Sequence, residues 1–180
     1  MSRKGNKSIS FSDKVEVTRS GDTVLVKGPK GELTTVVSKD FEIKIEDNSI
    51  QVINLSKDRN VRSYHGLYQS LIANMVEGVS NGYKIELELF GVGYRVAKQG
   101  AGLNFSLGYS HPVTIDSVEG ITFDLEGQTN LSISGIDKRL VGEIAANIIK
   151  LRDARKDPYK GKGIKYKGAV LRKKAGKKVK

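Results

Sequence analysis

The stretch Lys84-Ile85-Glu86-Leu87-Glu88-Leu89-Phe90-Gly91-Val92-Gly93-Tyr94-Arg95-Val96-Ala97-Lys98-Gln99-Gly100-Ala101-Gly102-Leu103 repeats the pattern of Lys14 to Leu33 at a constant offset of 70 residues without a gap. Val15/Val17 and Ile85/Leu87 alternate with polar residues at the period of two that marks half-buried strands. Gly21 falls on Gly91, Val26 on Val96 and Leu33 on Leu103. Each copy reads as strand, Gly turn, strand, Gly-containing turn, strand. Lys27-Gly28-Pro29-Lys30-Gly31 and Lys98-Gln99-Gly100-Ala101-Gly102 carry the turn chemistry, Gly allowing positive φ and Pro presetting its own.

Working outward, Phe41/Ile43 aligns with Val113/Ile115, and Ile50-Gln51-Val52-Ile53 with Leu131-Ser132-Ile133 after about eight to ten extra residues. Those extra residues include the strand-like Gly120-Ile121-Thr122-Phe123-Asp124-Leu125. Each copy then closes with a helix. Asp58 can cap one whose Tyr64, Tyr68, Leu71, Ile72, Met75 and Val76 share a face. Asp137 precedes another with Leu140, Val141, Ile144, Ala145, Ile148 and Leu151. Both sets have the i, i+3/i+4 spacing of a one-sided apolar stripe. The expected fold is α+β: two tandem duplicated domains, each an antiparallel sheet packed on one long helix, plus a basic extended C-terminal tail. The expected boundaries are 1–82, 83–154 and 155–180.

The 180 residues carry 31 Lys/Arg against 20 Asp/Glu, a formal net charge of +11. Between Lys150 and Lys180 there are 14 basic residues and two acids, so that span holds +12 and the remainder −1. Such concentration repels itself, and a polyanion offsets the repulsion. An anionic membrane would need an amphipathic helix or a lipid anchor beside the charges. The span offers neither, being interrupted by Gly161, Gly163, Gly168 and Gly176 and poor in bulky apolar residues. A merely solvated tail is the plain alternative; nucleic acid is the favoured partner, with no membrane.

Other chemistries are poorly supported. The absence of cysteine excludes disulfides and thiolate sites, and two histidines are too few for a multi-His metal centre. The basic N-terminus lacks the apolar core of a signal peptide, so a soluble, cytoplasmic protein is expected. No Gly-x-Ser-x-Gly elbow or Walker motif occurs, and Gly91-Val92-Gly93 lies between strands rather than opening a helix. Glu86 and Glu88 share a strand face, which a solvent-facing alternation explains better than acid–base work. His111-Pro112 reads as a turn, and His65 as a surface or partly packed helix residue. No enzyme, cofactor, metal or small-molecule substrate is expected.

The segment from Arg155 combines three useful properties. Arg155, Lys156, Lys160, Lys162, Lys165 and Lys167, then Arg172, Lys173, Lys174, Lys177 and Lys178, space charge along an extended chain that can track phosphates. Gly161 and Gly163 would let the backbone approach sugar and phosphate closely. Tyr159 and Tyr166 offer stacking faces or hydroxyls. Asp157-Pro158 ends the preceding helix. Unable to bury a core, the tail is expected to order only on its partner. With no base-reading helix in evidence, structured RNA fits better than sequence-read DNA.

At this point the chain resembles a known family. Val24-Leu25-Val26-Lys27-Gly28-Pro29-Lys30-Gly31-Glu32-Leu33 resembles the N-terminal hairpin of large-subunit ribosomal protein six, of the bacterial type. Leu89-Phe90-Gly91-Val92-Gly93-Tyr94-Arg95 resembles its second-domain hairpin. Gly135-Ile136-Asp137-Lys138 with Val141-Gly142 matches too, and Pro158-Tyr159-Lys160-Gly161-Lys162-Gly163-Ile164-Lys165-Tyr166 is close to the C-terminal signature. The resemblance implies a duplicated α+β fold and a structural role in the large ribosomal subunit. It further implies binding of large-subunit ribosomal RNA near the stalk base and sarcin–ricin loop, beside neighbouring large-subunit ribosomal proteins. Carried over, it puts RNA contacts at Tyr159, Lys160, Gly161, Lys162, Gly163, Lys165 and Tyr166. The chain departs from the pattern at Arg155-Lys156-Asp157-Pro158, with a single proline, and at Lys167-Gly168-Ala169-Val170, which lacks the usual acid. The residues by themselves leave two rivals: a free RNA chaperone or DNA-compacting factor, and a protein-interaction module using sheet edges.

Overall fold

The computed structural model describes residues 3–46, 48–56 and 58–176. The chain forms two compact units, one reaching to Gly82 with Ile136–Lys138, the other comprising Tyr83–Gly135 and the chain from Arg139 onward.

The first unit contains β1 (Ile9–Ser10), β2 (Glu16–Ser20), β3 (Thr23–Gly28), β4 (Gly31–Val36), β5 (Phe41–Glu46), β6 (Ser49–Asn54) and α1 (Arg59–Ser80). The strands form two antiparallel sheets, ordered β2-β3-β4 and β1-β6-β5, instead of the single sheet expected. A turn closed by the Phe41 N–H donating to the Ser38 carbonyl at 3.1 Å starts β5 in a new sheet. Alternation defines which face a strand buries, but not which strand it pairs with. Val24, Val26, Phe41, Ile50 and Val52 meet Ile72, Met75, Val76 and Val79 of α1 in one apolar core.

The buried face of α1 differs from the expected stripe. Tyr64 is half exposed, whereas His65 is buried. His65 Nε2–H donates to the Val52 carbonyl at 2.7 Å, so its polar edge is satisfied while its ring stacks beside Phe41. The sequence His65, Tyr68, Ile72, Met75, Val79 keeps helical spacing, and a hydrogen-bonded imidazole replaces an apolar residue at one end. Asp58 stands at the N-cap position but makes no side-chain cap bond; its carbonyl accepts from the Arg62 N–H at 3.1 Å.

The second unit contains β7 (Tyr83–Phe90), β8 (Arg95–Gln99), β9 (Gly102–Ser106), β10 (Val113–Ile115), β11 (Ile121–Glu126), β12 (Asn130–Gly135), α2 (Lys138–Leu151) and β13 (Gly163–Tyr166). Its sheets, again antiparallel, run β10-β9-β8 and β11-β12-β7-β13. Val141, Ile144, Ala145 and Ile148 of α2 are buried as the spacing requires, Ile149 joins them, and Leu140 and Leu151 lie at the margin. They pack with Leu87, Phe105, Leu131, Ile133 and Ile164.

Pairing corrects two details of the internal alignment. The hairpin β5–β6 precedes α1, and the hairpin β11–β12 precedes α2. By pairing, Phe41/Ile43 therefore corresponds to Ile121/Phe123, and β10 is the added strand, not residues 120–125. Also, β2 pairs with β3 whereas β7 pairs with β12 and β13, so Gly91-Val92-Gly93 turns a corner between sheets and makes no hairpin.

The largest correction concerns the C-terminal segment. Residues 163–166, expected to await a partner, form an edge strand antiparallel to β7, with Ile164 fully buried. Local polarity hid this, because one Ile among lysines and glycines reads as tail while the groove it fills is made elsewhere in the chain. A chain ending at Asp153 is expected to lose at least about 2 kcal/mol, the lower end for emptying a buried Ile site. One ending at Val170 should melt like the full chain, and thermal circular dichroism of both checks this.

Candidate nucleic-acid interface

The candidate interface is built on β13. Its first residue, Gly163, has φ of 147°, and a Cβ there would lie 2.5 Å from both the Arg152 carbonyl oxygen and the Ala154 nitrogen. Glycine is thus required by the chain's own packing. The Ile164 N–H donates to that Arg152 carbonyl at 2.7 Å, tying the strand to the end of α2. Gly161 is likewise buried, a Cβ there meeting Leu171 and Lys173 at 3.0 and 3.2 Å. Both glycines serve internal contacts, a need separate from the approach to phosphate that the sequence suggests.

Between Ala154 and β13 the chain makes one 3-10 turn, Ala154–Lys156, and then a loop wrapped around a carboxylate. Asp157 Oδ1 accepts from the Tyr159 and Lys160 N–H groups at 3.0 and 3.2 Å, and Oδ2 from the Lys162 N–H at 3.1 Å. Hydrogen bonding from the Lys162 amide, then the Tyr159 amide, holds the Asp157 carboxyl below its ordinary value. The loop backbone therefore turns inward on Asp157. Tyr159, 60% exposed, and Lys160 lie at the surface, with Lys162 half-buried beside them. The Lys174 N–H donates to the Pro158 carbonyl at 2.7 Å and brings the following segment back over the loop.

Along β13 the charges are answered from within. Lys165 stands opposite Glu88 and its ammonium lies 3.1 Å from that carboxylate, only 23% exposed. Lys167 reaches Glu86 at 2.6 Å, and Lys84 reaches the same carboxylate at 2.9 Å. The Lys167 bond, then the Lys84 bond, pulls the Glu86 carboxyl down to about 2. Arg155 donates through Nε and Nη2 to both oxygens of Asp153 at 2.9–3.1 Å. Arg155, Lys165 and Lys167 are accordingly partnered inside the protein. The two glutamates that alternation placed on one face form a cross-strand ladder with lysines.

The remaining cations are disposed differently. Lys156, Lys160, Arg172, Lys173 and Lys174 are exposed, and none of them makes an ion pair within the described residues. Tyr166 is exposed at the end of β13. Lys177 and Lys178 lie outside the described residues. Beside the loop, Lys160, Lys162 and Lys173 border an open groove of about 650 Å³ floored by Leu89, Phe90 and Val92, with Thr129 at its edge. The apolar members were absent from the sequence-based set. A signal was present: Phe90 continues the outward parity of Glu86 and Glu88, so it places an aromatic ring on a solvent face.

Two comparisons bear on these residues. The family model described as ribosomal protein L6 matches residues 11–82 and 90–167, a range that takes in the Asp157 loop and β13. The curated large ribosomal subunit protein uL6 of Salinispora tropica is 50% identical over 178 residues, covering 98% of each chain.

Acid should release the ladder late. Because Glu86 is held down to about 2 in the fold against an ordinary 4.5, its contribution is complete above pH 4.5 and lost as pH falls through about 2. A carboxyl-carbon NMR titration should give that low midpoint, and Lys167→Ala should move it up toward 4.5. Asp157→Ala removes the acceptor of three amides, so the Tyr159, Lys160 and Lys162 N–H groups should exchange with solvent faster, while those of β12 keep their protection.

Proposed function

The chain belongs to the ribosomal protein L6 family, and from that premise we propose that it is a non-enzymatic structural constituent of the large ribosomal subunit in the cytoplasm. It binds large-subunit ribosomal RNA through the second unit and sits among neighbouring large-subunit ribosomal proteins. Its station is near the stalk base, where translation factors dock. In the same reading the two units descend from one duplicated α+β module, and the basic segment beyond β13 is a tail that completes the RNA contact.

The observation that carries this reading is the Asp157-centred loop inside the matched range. It fixes Tyr159, Lys160 and Lys162 on a folded support next to the exposed Lys173 and Lys174. A carboxylate that consumes the backbone donors leaves the ammonium groups for an external anion. Phosphate oxygens suit them, and ammonium groups and a tyrosine carried on a loop suit RNA backbone and shape. Preordering also lowers the entropy lost on binding compared with a disordered basic tail.

Lys160→Glu/Lys162→Glu is expected to weaken entry into large subunits with the circular dichroism spectrum unchanged, since neither ammonium makes an ion pair among the described residues. Each phosphate contact removed should flatten the salt dependence of RNA binding by about one in the log–log slope. Lys165→Ala and Lys167→Ala should matter less, their charges being engaged by Glu88 and Glu86. Sedimentation of tagged chains with large subunits in rising salt decides it. Uniform loss at moderate salt with no preference among RNAs would instead indicate a free RNA chaperone.

A further inference from the structure

The groove beside the Asp157 loop joins cationic side chains to an exposed aromatic ring. Its floor is the Phe90 ring, 51% exposed at the end of β7. Opposite Phe90 on β13 stands Gly163, so no cross-strand side chain covers the ring on that side. At the neighbouring outward positions of β7, Lys165 of β13 stands over Glu88 and Lys167, just past the strand, reaches Glu86. The gap is thus specific to the aromatic position, and the packing of Gly163 against Arg152 and Ala154 prevents a side chain from closing it.

Around this open ring the groove has one apolar wall and one cationic wall. Val92, at the corner between sheets, is 94% exposed and faces the same space. Lys160, Lys162 and Lys173 line the other side, with Lys173 Nζ 5.2 Å from the Phe90 ring centroid. Among the described residues no acid lines the groove, and the nearest acid on that face of β7, Glu88, is engaged by Lys165. A volume of about 650 Å³ lies within the roughly 300–1,000 Å³ usual for small-molecule sites.

We infer that this groove receives a single unstacked nucleotide of RNA, its base on the Phe90 ring against Val92 and its phosphates on Lys160, Lys162 and Lys173. The inference rests on RNA being the partner, as proposed above, and adds a base-accepting subsite to it. A flat, apolar face flanked by ammonium groups matches a nucleotide, which is flat and apolar at one end and anionic at the other. Lys173, over the ring in the free chain, has a flexible stem that allows its ammonium to pass from ring to phosphate.

The test uses the full chain with a single-stranded RNA hexanucleotide carrying 2-aminopurine, and the same hexanucleotide with an abasic residue at that position. Stacking should quench the 2-aminopurine emission. The abasic RNA should bind about tenfold more weakly, the size of one lost base–aromatic stack. Phe90→Leu keeps an apolar floor without the ring and should lose the quenching and a similar factor in affinity. Val92→Glu changes a side chain with almost no protein contact, so it leaves the fold intact if Phe90→Leu does not, and should weaken binding by repelling phosphate. Equal binding of the two RNAs, absence of quenching, or unchanged affinity in Val92→Glu would overturn the subsite. A chain that enters large subunits yet shows no quenching refutes the subsite alone. One that quenches but never enters large subunits refutes the ribosomal role alone.

Discussion

One edge-strand pairing underlies the candidate interface. When β13 docks on β7, Ile164 enters the apolar core and Gly163 closes onto the backbone at Arg152 and Ala154. Removing Ile164 from water offsets part of the entropy of ordering a segment rich in Lys and Gly. The cross-strand lysine–glutamate pairs add register, since a shift by one residue would set Lys165 against a buried leucine position and turn Ile164 outward. With β13 in place the loop before it has two fixed ends, and Asp157 has only five residues to organise.

That arrangement divides the positive charge into two populations. Arg155, Lys165 and Lys167 neutralise Asp153, Glu88 and Glu86 and hold the edge together. Lys156, Lys160, Arg172, Lys173 and Lys174 stand in solvent. The first group is screened by its own partners; the second turns its charge to solvent. Formal charge is therefore a poor guide to which cation projects a field into solvent, because a carboxylate within hydrogen-bonding distance answers most of an ammonium's field locally.

Much of the fold was legible in apolar spacing. The face of α2 followed from Val141, Ile144, Ala145 and Ile148, and the strands of the 70-residue offset repeat lie where alternation put them. The failures share a cause. His65 reads as polar at the surface, yet a single carbonyl on β6 makes it a core residue. Phe41 aligns by sequence with Val113 but pairs as Ile121 does, since β-pairing is long-range and a hydrophobicity pattern carries no partner label. Within the candidate interface, Tyr159, Lys160 and Lys162 were legible as a basic, aromatic run. The roles of Gly161 and Gly163 were not, because a glycine kept for internal packing and one kept for ligand approach are written with the same letter.

The amino-acid sequence by itself determined the α+β class, the two closing helices, the lopsided charge and the family resemblance, all of which depend on the order of residue types along the chain. The tertiary structure alone decided that residues 163–166 are a strand of the second unit, which of the described cations are ion-paired, and that Phe90 has no cross-strand side chain from β13 beside it. These properties arise where segments some 70 residues apart meet, Phe90 against Gly163 and Glu88 against Lys165. Proximity of that kind is created by folding and has no local trace in the chain.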